Sequence, residues 1–208
     1  MRHLVLLVSL FLALPTVARA ETAVFAGGCF WCVESDMDHI KGVTSTISGY
    51  AGGTEPNPTY RYHVGYVEAV RVEFDPKIVS YDELVARFLR SIDVTDGAGQ
   101  FCDRGPSYTP AIFTTTPEQA SSAAAAVAKA TQTLGKKLFV PVEAYTTFTD
   151  AEDYHQNYYL GENRVLTRFG WIKQSEAYEY YREACGREQR VRQIWGDEAY
   201  TAGKGGAS

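Results

Sequence analysis

One strand-like segment constrains the fold of this chain strongly, because its side chains alternate in polarity along its length. In residues 64–74 the even positions carry Val, Tyr, Glu, Val, Val and Phe, whereas the odd positions include Arg71 and Glu73. Successive side chains of a β-strand point to opposite faces, so this period of two predicts a strand whose even row faces the core. That row includes Glu68, and a carboxylate is therefore expected on the buried face of a sheet.

The position of Glu68 has chemical consequences. An ionised carboxylate is costly to bury among apolar side chains, so burial should raise the pKa of Glu68 and keep it protonated near neutral pH. A neutral carboxylic acid that faces a pocket can act as a general acid. The alternative is a Glu68 at the edge of a sheet, where it reaches water or pairs with an arginine. The strand alone does not decide between these two interpretations.

A second feature places a cysteine at the start of a helix. Residues 22–26 are predicted to form a short strand that ends at Gly27 and Gly28, and apolar residues at helical spacing from Phe30 predict a helix. Cys29 then lies at the helix N-terminus, where free backbone N–H groups and the helix dipole favour an anion. We therefore expect a lowered pKa for the Cys29 thiol, as is typical of a reactive cysteine.

The cysteines allow several interpretations. A structural disulfide between Cys29 and Cys32 is one, and half of a zinc site is another. Zinc is disfavoured because Cys102 and Cys185 supply no second Cys-x-x-Cys pair and no matching histidine spacing. A thioredoxin-like dithiol is a serious rival, because that motif also opens a helix after a strand.

The aromatic residues beside the nucleophile favour a different chemistry. Phe30 and Trp31 follow Cys29 directly and would form an apolar cage beside the thiol. Such a cage suits a small substrate with an apolar tip better than it suits a disulfide-exchange surface.

The N-terminus has the features of an export signal. Residues 4–14 are an apolar run and residues 18–20 are Ala-Arg-Ala, the small-residue pattern that a signal peptidase recognises. We predict a signal peptide over residues 1–20 and an exported, periplasmic protein, with an uncleaved membrane anchor as the alternative. Cleavage removes Arg2 and Arg19 and no acid, so the 20 basic residues fall to 18 against 25 acidic ones, a formal charge of −7. This charge disfavours nonspecific nucleic-acid binding.

The rest of the chain is predicted to be one catalytic domain over residues 21–200, followed by a disordered tail over residues 201–208. Helices and strands alternate with connections of varied length, which favours a mixed sheet over a purely parallel one. Further strands are predicted at residues 42–50, 111–115 and 142–148, and helices at residues 80–92 and 117–134, with short helices up to Trp195. We expect no membrane association after cleavage and a monomer, because no heptad repeat or apolar surface stripe is apparent.

Six sequence motifs occur in an order that is typical of one known family. They are GGCFWCVE (27–34), GYAGG (49–53), PNPTY (56–60), GYVEAVRVEFDP (65–76), QFCDRGPSYTPAIF (100–113) and AEDYHQNYY (151–159). Together they resemble the A class of peptide methionine sulfoxide reductases, which reduce the S-epimer of methionine sulfoxide; YREACGR (181–187) is a weaker similarity. The resemblance implies an α+β fold (an α/β roll) with a mixed, mainly antiparallel sheet, flanking helices, a ferredoxin-like core and an irregular C-terminal segment.

The same resemblance implies a role for each matching residue. Cys29 is the nucleophile, Phe30 and Trp31 hold the methyl group of the substrate, and Glu68 protonates the sulfoxide oxygen. The polar side of the pocket is completed by residues that hydrogen-bond to that oxygen or to a water: Tyr60, Asp103 and Tyr108. His155 is expected to be structural, with a hydrogen bond that involves Asp153.

Attack on the sulfoxide would leave a sulfenic acid on Cys29, with which a second cysteine condenses. Cys32 lies one helical turn away, and Cys185 lies where relatives often carry the resolving cysteine; these two candidates are equal. Cys102 comes behind them, and a relay through two cysteines is a further option.

The resemblance also implies the partners. It implies no metal and no organic cofactor, a thioredoxin-like protein or dithiol as reductant, and oxidised proteins and free methionine sulfoxide as substrates. The competing functions are a periplasmic thiol-disulfide oxidoreductase that uses Cys29 and Cys32, and a cysteine-rich metal-binding or structural domain.

Overall fold

A computed structural model of the chain describes residues 20–203. The predicted signal peptide, apart from Ala20, and residues 204–208 of the predicted tail lie outside the described residues. The strands within the described range are β1 (Glu21–Ala26), β2 (Val43–Ala51), β3 (Val67–Phe74), β4 (Gly99–Gln100), β5 (Asp103–Arg104), β6 (Ala111–Thr114), β7 (Val142–Ala144), β8 (Phe148–Asp150), β9 (Arg164–Thr167) and β10 (Gly170–Lys173). The α-helices of the same range are α1 (Phe30–Asp38), α2 (Tyr81–Leu89), α3 (Pro117–Leu134), α4 (Gln174–Ala184) and α5 (Arg187–Trp195).

A mixed, mainly antiparallel sheet forms the centre of the fold, as predicted. Its six strands lie in the order β7-β6-β1-β3-β2-β8, and β6–β7 is the parallel pair among them. The chain order β1-α1-β2-β3-α2-β6, with β3 inserted between β1 and β2, is that of a ferredoxin-like split βαβ core. This topology puts β3, which carries Glu68, in the middle of the sheet.

The burial of β3 side chains alternates as the sequence predicts from Val70 onward, whereas Ala69 on the opposite face is also buried. Val70, Val72 and Phe74 are fully buried, while Arg71 and Glu73 are partly exposed. The predicted strand nevertheless starts too early, because Val64 is 67% exposed and lies outside the strand.

The physical reason for this late start is a turn. Gly65 adopts a positive φ of 82°, and Tyr66 N–H donates to the His63 carbonyl at 3.0 Å. The extended chain therefore begins only after this turn.

Local capping defines the start of α2 and both ends of α3. Ser80 Oγ accepts a hydrogen bond from the Glu83 N–H at 3.2 Å and starts α2. The predicted end of α2 at residue 92 is too late, because 3-10-type bonds such as Ser91 N–H to the Phe88 carbonyl tighten its last turn. Helix α3 has the predicted bounds and ends at Gly135, which is left-handed.

The predicted strand over residues 142–148 is wrong as a single element. Its first part is β7, which pairs with β6, and its last residue begins β8, which pairs with β2 at the opposite edge of the sheet. The strand-like sequence pattern of residues 142–148 is continuous, but the chain crosses from one edge of the sheet to the other within it.

After β8 the chain forms 3-10 turns, the hairpin β9–β10 and the helices α4 and α5. The hairpin was not predicted from the sequence. Within residues 20–203, no helix has the length and apolar character needed to cross a bilayer.

Candidate active site

The bend between β1 and α1 needs both of its glycines. Gly28 has a positive φ of 82°, and a Cβ there would lie 2.5 Å from Gln100 Cβ; a Cβ on Gly27 would lie 2.8 Å from Ile92 Cγ2. A side chain at either position would clash with packed neighbours. The chain therefore turns sharply, and Cys29 becomes the N-cap residue of α1, as the sequence predicts.

A cavity of about 430 Å³ opens at this bend, a size suited to a small ligand or one side chain. The cavity walls contain every candidate site residue of the sequence analysis except Cys102. These wall residues are Cys29, Phe30, Trp31, Cys32, Tyr60, Glu68, Asp103, Tyr108 and Cys185.

Glu68 enters the cavity from the central strand and is 2% exposed. Its Oε2 accepts a hydrogen bond from the Phe30 N–H at 3.0 Å. Burial raises the pKa of Glu68 to about 8, and the nearby charge of Asp103 acts in the same direction, while the Phe30 hydrogen bond opposes it. The predicted upward shift of this pKa is confirmed. Because β3 lies between β1 and β2, the sheet-edge alternative is wrong.

The two thiols of the motif are free and hydrogen-bond to each other. This bond, together with burial and the charges of Glu68 and Asp103, raises the pKa of Cys29. The bond lowers the pKa of Cys32 to about 7. The lowered pKa expected for Cys29 is therefore wrong, because the neighbouring thiol, burial and the two acids raise it. The opposite directions of the two pKa shifts favour ionisation of Cys32 over ionisation of Cys29.

Arg187 is a site residue that the sequence analysis did not identify. It begins α5, is 2% exposed and lines the cavity. Its guanidinium lies 4.6 Å above the Phe101 ring, and its Nη1 donates to the Gly27 carbonyl at 3.5 Å. Its Nε and Nη2 have no hydrogen-bond partner among the described residues, although Nη2 lies 3.5 Å from Asp36 Oδ2.

A buried guanidinium needs a compensating anion. The charge of Arg187 favours the thiolate of Cys32, and the charge of Arg182 adds to the effect. No local pattern marks an arginine 155 residues after Cys32 as its partner, and only the weaker YREACGR similarity covers it.

The aromatic wall is built around Trp31. Its indole stacks on Tyr158 with ring centres 3.7 Å apart, and its Nε1 donates to His155 Nδ1 at 3.1 Å. His155 is 1% exposed, and burial lowers its pKa to about 4, so it stays neutral and can accept this bond. His155 thus has a structural role, but its side-chain partner is Trp31 and not the expected Asp153.

The polar wall contains the two tyrosines. Burial, assisted by the charge of Glu68, raises the pKa of Tyr60 to about 12 and also raises the pKa of Tyr108. Both phenols therefore remain hydrogen-bond donors at neutral pH. Glu152 positions this wall, because its Oε1 accepts from the Tyr60 N–H at 3.0 Å and its Oε2 accepts from the Tyr50 hydroxyl at 2.9 Å. Glu152 lies within the AEDYHQNYY motif, and no local sequence pattern marks this positioning role.

Asp103 lies in β5 beside the tyrosines. Burial raises its pKa, although the charge of Arg187 opposes the shift. Asp103 is thus a second carboxyl group whose protonated form the cavity favours.

The remaining cysteines form a disulfide. Cys102 and Cys185 are bonded, with their Cα atoms 5.2 Å apart and a sequence separation of 83. The bond joins the β4–β5 turn, next to Asp103, to the end of α4. Of the three resolving candidates, Cys32 is the one that is a free thiol and contacts Cys29.

The described residues contain no cluster of three or more His, Cys, Asp or Glu side chains that is arranged to hold a metal ion. The chemical groups that the cavity walls do contain are two thiols, carboxylic acids, phenols and an aromatic surface.

Comparison with known proteins places this site in a family. The family model described as peptide methionine sulfoxide reductase matches residues 21–199. The peptide methionine sulfoxide reductase MsrA 2 of Rhizobium meliloti (strain 1021) is 49% identical over 197 residues, which cover 93% of each chain. The MsrA 2 of Caulobacter vibrioides is 42% identical, with 94% of this chain and 100% of that protein covered.

A solved structure agrees with these sequence relatives. The structure of methionine sulfoxide reductase A of Corynebacterium diphtheriae superposes with a TM-score of 0.63 at 33% identity, over 67% of this chain and 73% of that one. With a family model that spans nearly all described residues, this chain belongs to the peptide methionine sulfoxide reductase family.

Proposed function

We propose that this protein reduces the S-epimer of methionine sulfoxide to methionine, in proteins and as the free amino acid. One observation carries the proposal above the others. The buried acid Glu68, whose pKa is raised to about 8, is hydrogen-bonded to the backbone of the residue that follows Cys29. An acid and a thiol are thereby held at one cavity, as sulfoxide reduction requires.

The cavity walls orient the substrate. The methyl group and sulfur of the oxidised side chain lie against Phe30 and Trp31, because these rings form the apolar wall. The sulfoxide oxygen then faces the protonated Glu68 and the phenols of Tyr60 and Tyr108. Hydrogen bonds to this oxygen draw electrons from the sulfur and make it electrophilic.

Oxygen transfer then takes place with two proton transfers, one from Cys29 and one from Glu68. Cys29 Sγ attacks the substrate sulfur while the Cys29 thiol proton passes to the Cys32 thiolate. The attack forms an S–S bond between Cys29 and the substrate, and Glu68 gives its proton to the sulfoxide oxygen. The resulting hydroxyl then moves from the substrate sulfur to Cys29 Sγ, while the S–S bond breaks and its electron pair returns to the substrate sulfur. Cys29 is left as a sulfenic acid. Methionine leaves, reduced by two electrons.

Cys32 resolves the intermediate. Its sulfur attacks the sulfenic sulfur of Cys29, a disulfide forms between them, and the hydroxyl leaves as water with the Cys32 thiol proton. Glu68 regains its proton from solvent. A thioredoxin-like dithiol protein then reduces the disulfide by exchange and is itself oxidised.

Turnover on separate sulfoxide epimers tests the proposal. The protein should reduce methionine S-sulfoxide and leave the R-epimer untouched, with dithiothreitol as the reductant. No reduction of either epimer, combined with reduction of insulin disulfides, would support the thiol-disulfide oxidoreductase and overturn the proposal.

The signal peptide predicted over residues 1–20 extends the proposal to the cellular location of the protein. Residues 1–20 direct export to the periplasm, and the disulfide between Cys102 and Cys185 is of the kind that persists in oxidising compartments. The reductant is then a thioredoxin-like protein of that compartment, and the enzyme acts as a monomer. Mass spectrometry of the protein from a periplasmic fraction should find Glu21 at its N-terminus, and light scattering should give the monomer mass.

A further inference from the structure

The hairpin β9–β10 forms part of the rim of the catalytic cavity. Val165, Leu166 and Thr167 of β9 line the cavity. Leu166 is nevertheless 80% exposed, so its side chain lies where the cavity meets solvent.

The two faces of this hairpin differ in what they contact. Val165 and Ile172 are cross-strand partners, and both pack against the buried cluster that contains Tyr158 and Tyr178. Leu166 and Trp171 are the next cross-strand pair and therefore share the opposite face. Trp171 is 59% exposed.

Leu166 and Trp171 therefore form an apolar shelf beside the cavity, here called the rim shelf. Side chains of directly opposed residues lie about 5 Å apart, so the rim shelf is continuous from the cavity rim to the outer strand of the hairpin. Single exposed apolar residues are common on protein surfaces, but an adjacent pair that extends a substrate cavity is what an interaction surface presents.

The rim shelf is held in place without using its own side chains. The Phe169 ring lies 5.2 Å from the Tyr181 ring, and the Arg168 guanidinium lies 4.8 Å and 5.1 Å above these two rings. The Gln174 N–H donates to the Asn163 carbonyl at 2.9 Å and ties the base of the hairpin to α4. The shelf is thus preformed, which reduces the entropy lost on binding.

We propose that the rim shelf binds the polypeptide that flanks an oxidised methionine, through apolar side chains of that polypeptide. This inference rests on the proposed function, because it takes the sulfoxide side chain to be in the cavity. A chain that inserts this side chain must leave its backbone at the rim, beside Leu166. An extended chain advances about 3.3 Å per residue, so residues one to three positions from the methionine reach Trp171.

Free methionine sulfoxide has no flanking residues and gains nothing from the rim shelf. The shelf therefore distinguishes oxidised segments that are unfolded and apolar from the free amino acid. The rim shelf contributes to substrate binding and not to the chemical step, so its removal should raise KM and leave kcat unchanged.

The test compares Trp171→Ser with the parent on two substrates, with dithiothreitol as reductant in both cases. One substrate is a short peptide with S-sulfoxide between leucines, and the other is free methionine S-sulfoxide. We expect kcat/KM for the peptide to fall about tenfold through KM, with turnover of the free amino acid unchanged. Ile78→Ser is the matched control, because Ile78 is 53% exposed and is not among the residues that line the cavity.

Three outcomes would overturn the inference. Equal losses of kcat/KM on both substrates would show that Trp171 supports the structure of the whole site and does not bind the flanking polypeptide. An unchanged KM for the peptide would leave the rim shelf without a role in substrate binding. A loss that appears only when a thioredoxin-like protein replaces dithiothreitol would assign the rim shelf to the reductant.

A binding measurement separates this inference from the proposed function. Calorimetry with Cys29→Ser, which cannot turn over, should detect the sulfoxide peptide and lose affinity about tenfold when Trp171→Ser is added. If the parent reduces neither substrate, the proposed function fails. If the parent reduces both and the added substitution leaves peptide affinity unchanged, only the rim shelf fails.

Discussion

Glu68 Oε2 and the Phe30 N–H are joined by a hydrogen bond of 3.0 Å. The bond connects the central strand of the sheet to the first turn of α1. Because Phe30 follows Cys29 directly, the same bond sets the acid relative to the nucleophile. The acid and the thiol are therefore positioned by regular secondary structure and not by a loop, which keeps their geometry constant.

Glu68→Gln should lower the rate of sulfoxide reduction by about 10² to 10⁴ while the fold is retained. The amide oxygen can still accept from the Phe30 N–H, but the side chain no longer has an acidic proton to give. Methionine release in a single turnover of the reduced protein measures the rate, and thermal unfolding checks the fold. Release at the parent rate would remove the acid role from Glu68.

Activity should fall on the alkaline side as Glu68 loses its proton. Burial raises its pKa to about 8, so the protonated, active form predominates below this pH and decreases about tenfold per unit above it. The single-turnover rate of the pre-reduced protein should show this descending limb with a midpoint near the Glu68 pKa. A rate that stays constant through two units above pH 8 would contradict the assignment.

Cys32→Ser should slow oxygen transfer, because the thiolate that accepts the Cys29 proton is gone, and should stop the reaction once oxygen transfer is complete. The protein should release about one methionine and hold a sulfenic acid on Cys29, because the free thiol that contacts Cys29 is gone. Dimedone labelling and intact mass would detect this acid. In the comparison protein Cys102→Ser/Cys185→Ser, the disulfide between Cys29 and Cys32 should still form. A disulfide between Cys29 and Cys185 in the Cys32→Ser protein would show that Cys185 is a resolving residue.

Arg187→Met should raise the pKa of Cys32, which the positive charge of Arg187 helps to hold at about 7. The shift should be roughly one unit, as expected for loss of one nearby charge. Thiolate absorbance as a function of pH measures it, and Arg187→Lys should restore part of the shift. The neighbouring Arg190→Met is the control, because Arg190 pairs with Asp93. Equal titrations in the parent and Arg187→Met would exclude the electrostatic role.

Loss of the disulfide between Cys102 and Cys185 should destabilise the protein but leave oxygen transfer to Cys29 intact. The bond closes a loop with a sequence separation of 83, for which chain entropy predicts a loss of about 4 to 5 kcal/mol in the free energy of unfolding. Denaturant unfolding of Cys102→Ala/Cys185→Ala measures this loss. Oxygen transfer to Cys29 should remain near the parent rate, and a severe loss of that rate would give the bond a part in the chemistry.

Local patterns were sufficient for the elements that carry the nucleophile and the acid. The period-two row placed Glu68 on the core-facing side of its strand and left two interpretations open, a buried neutral acid and an acid at a sheet edge. The strand, Gly-Gly and helix succession predicted Cys29 at a helix N-terminus, and the local sequence pattern predicted both ends of α3. These inferences succeed because each depends on residues within one or two turns of each other, where backbone geometry relates sequence spacing to direction.

Long-range packing decided the rest. It paired Cys102 with Cys185, brought His155 to Trp31, placed Arg187 beside Cys32 and divided residues 142–148 between two sheet edges. It also reversed the expected shift of the Cys29 pKa, because the hydrogen bond to Cys32, burial and the charges of Glu68 and Asp103 all raise it. Electrostatic energy depends on distance and burial, and neither quantity exists until segments far apart in the chain have packed together.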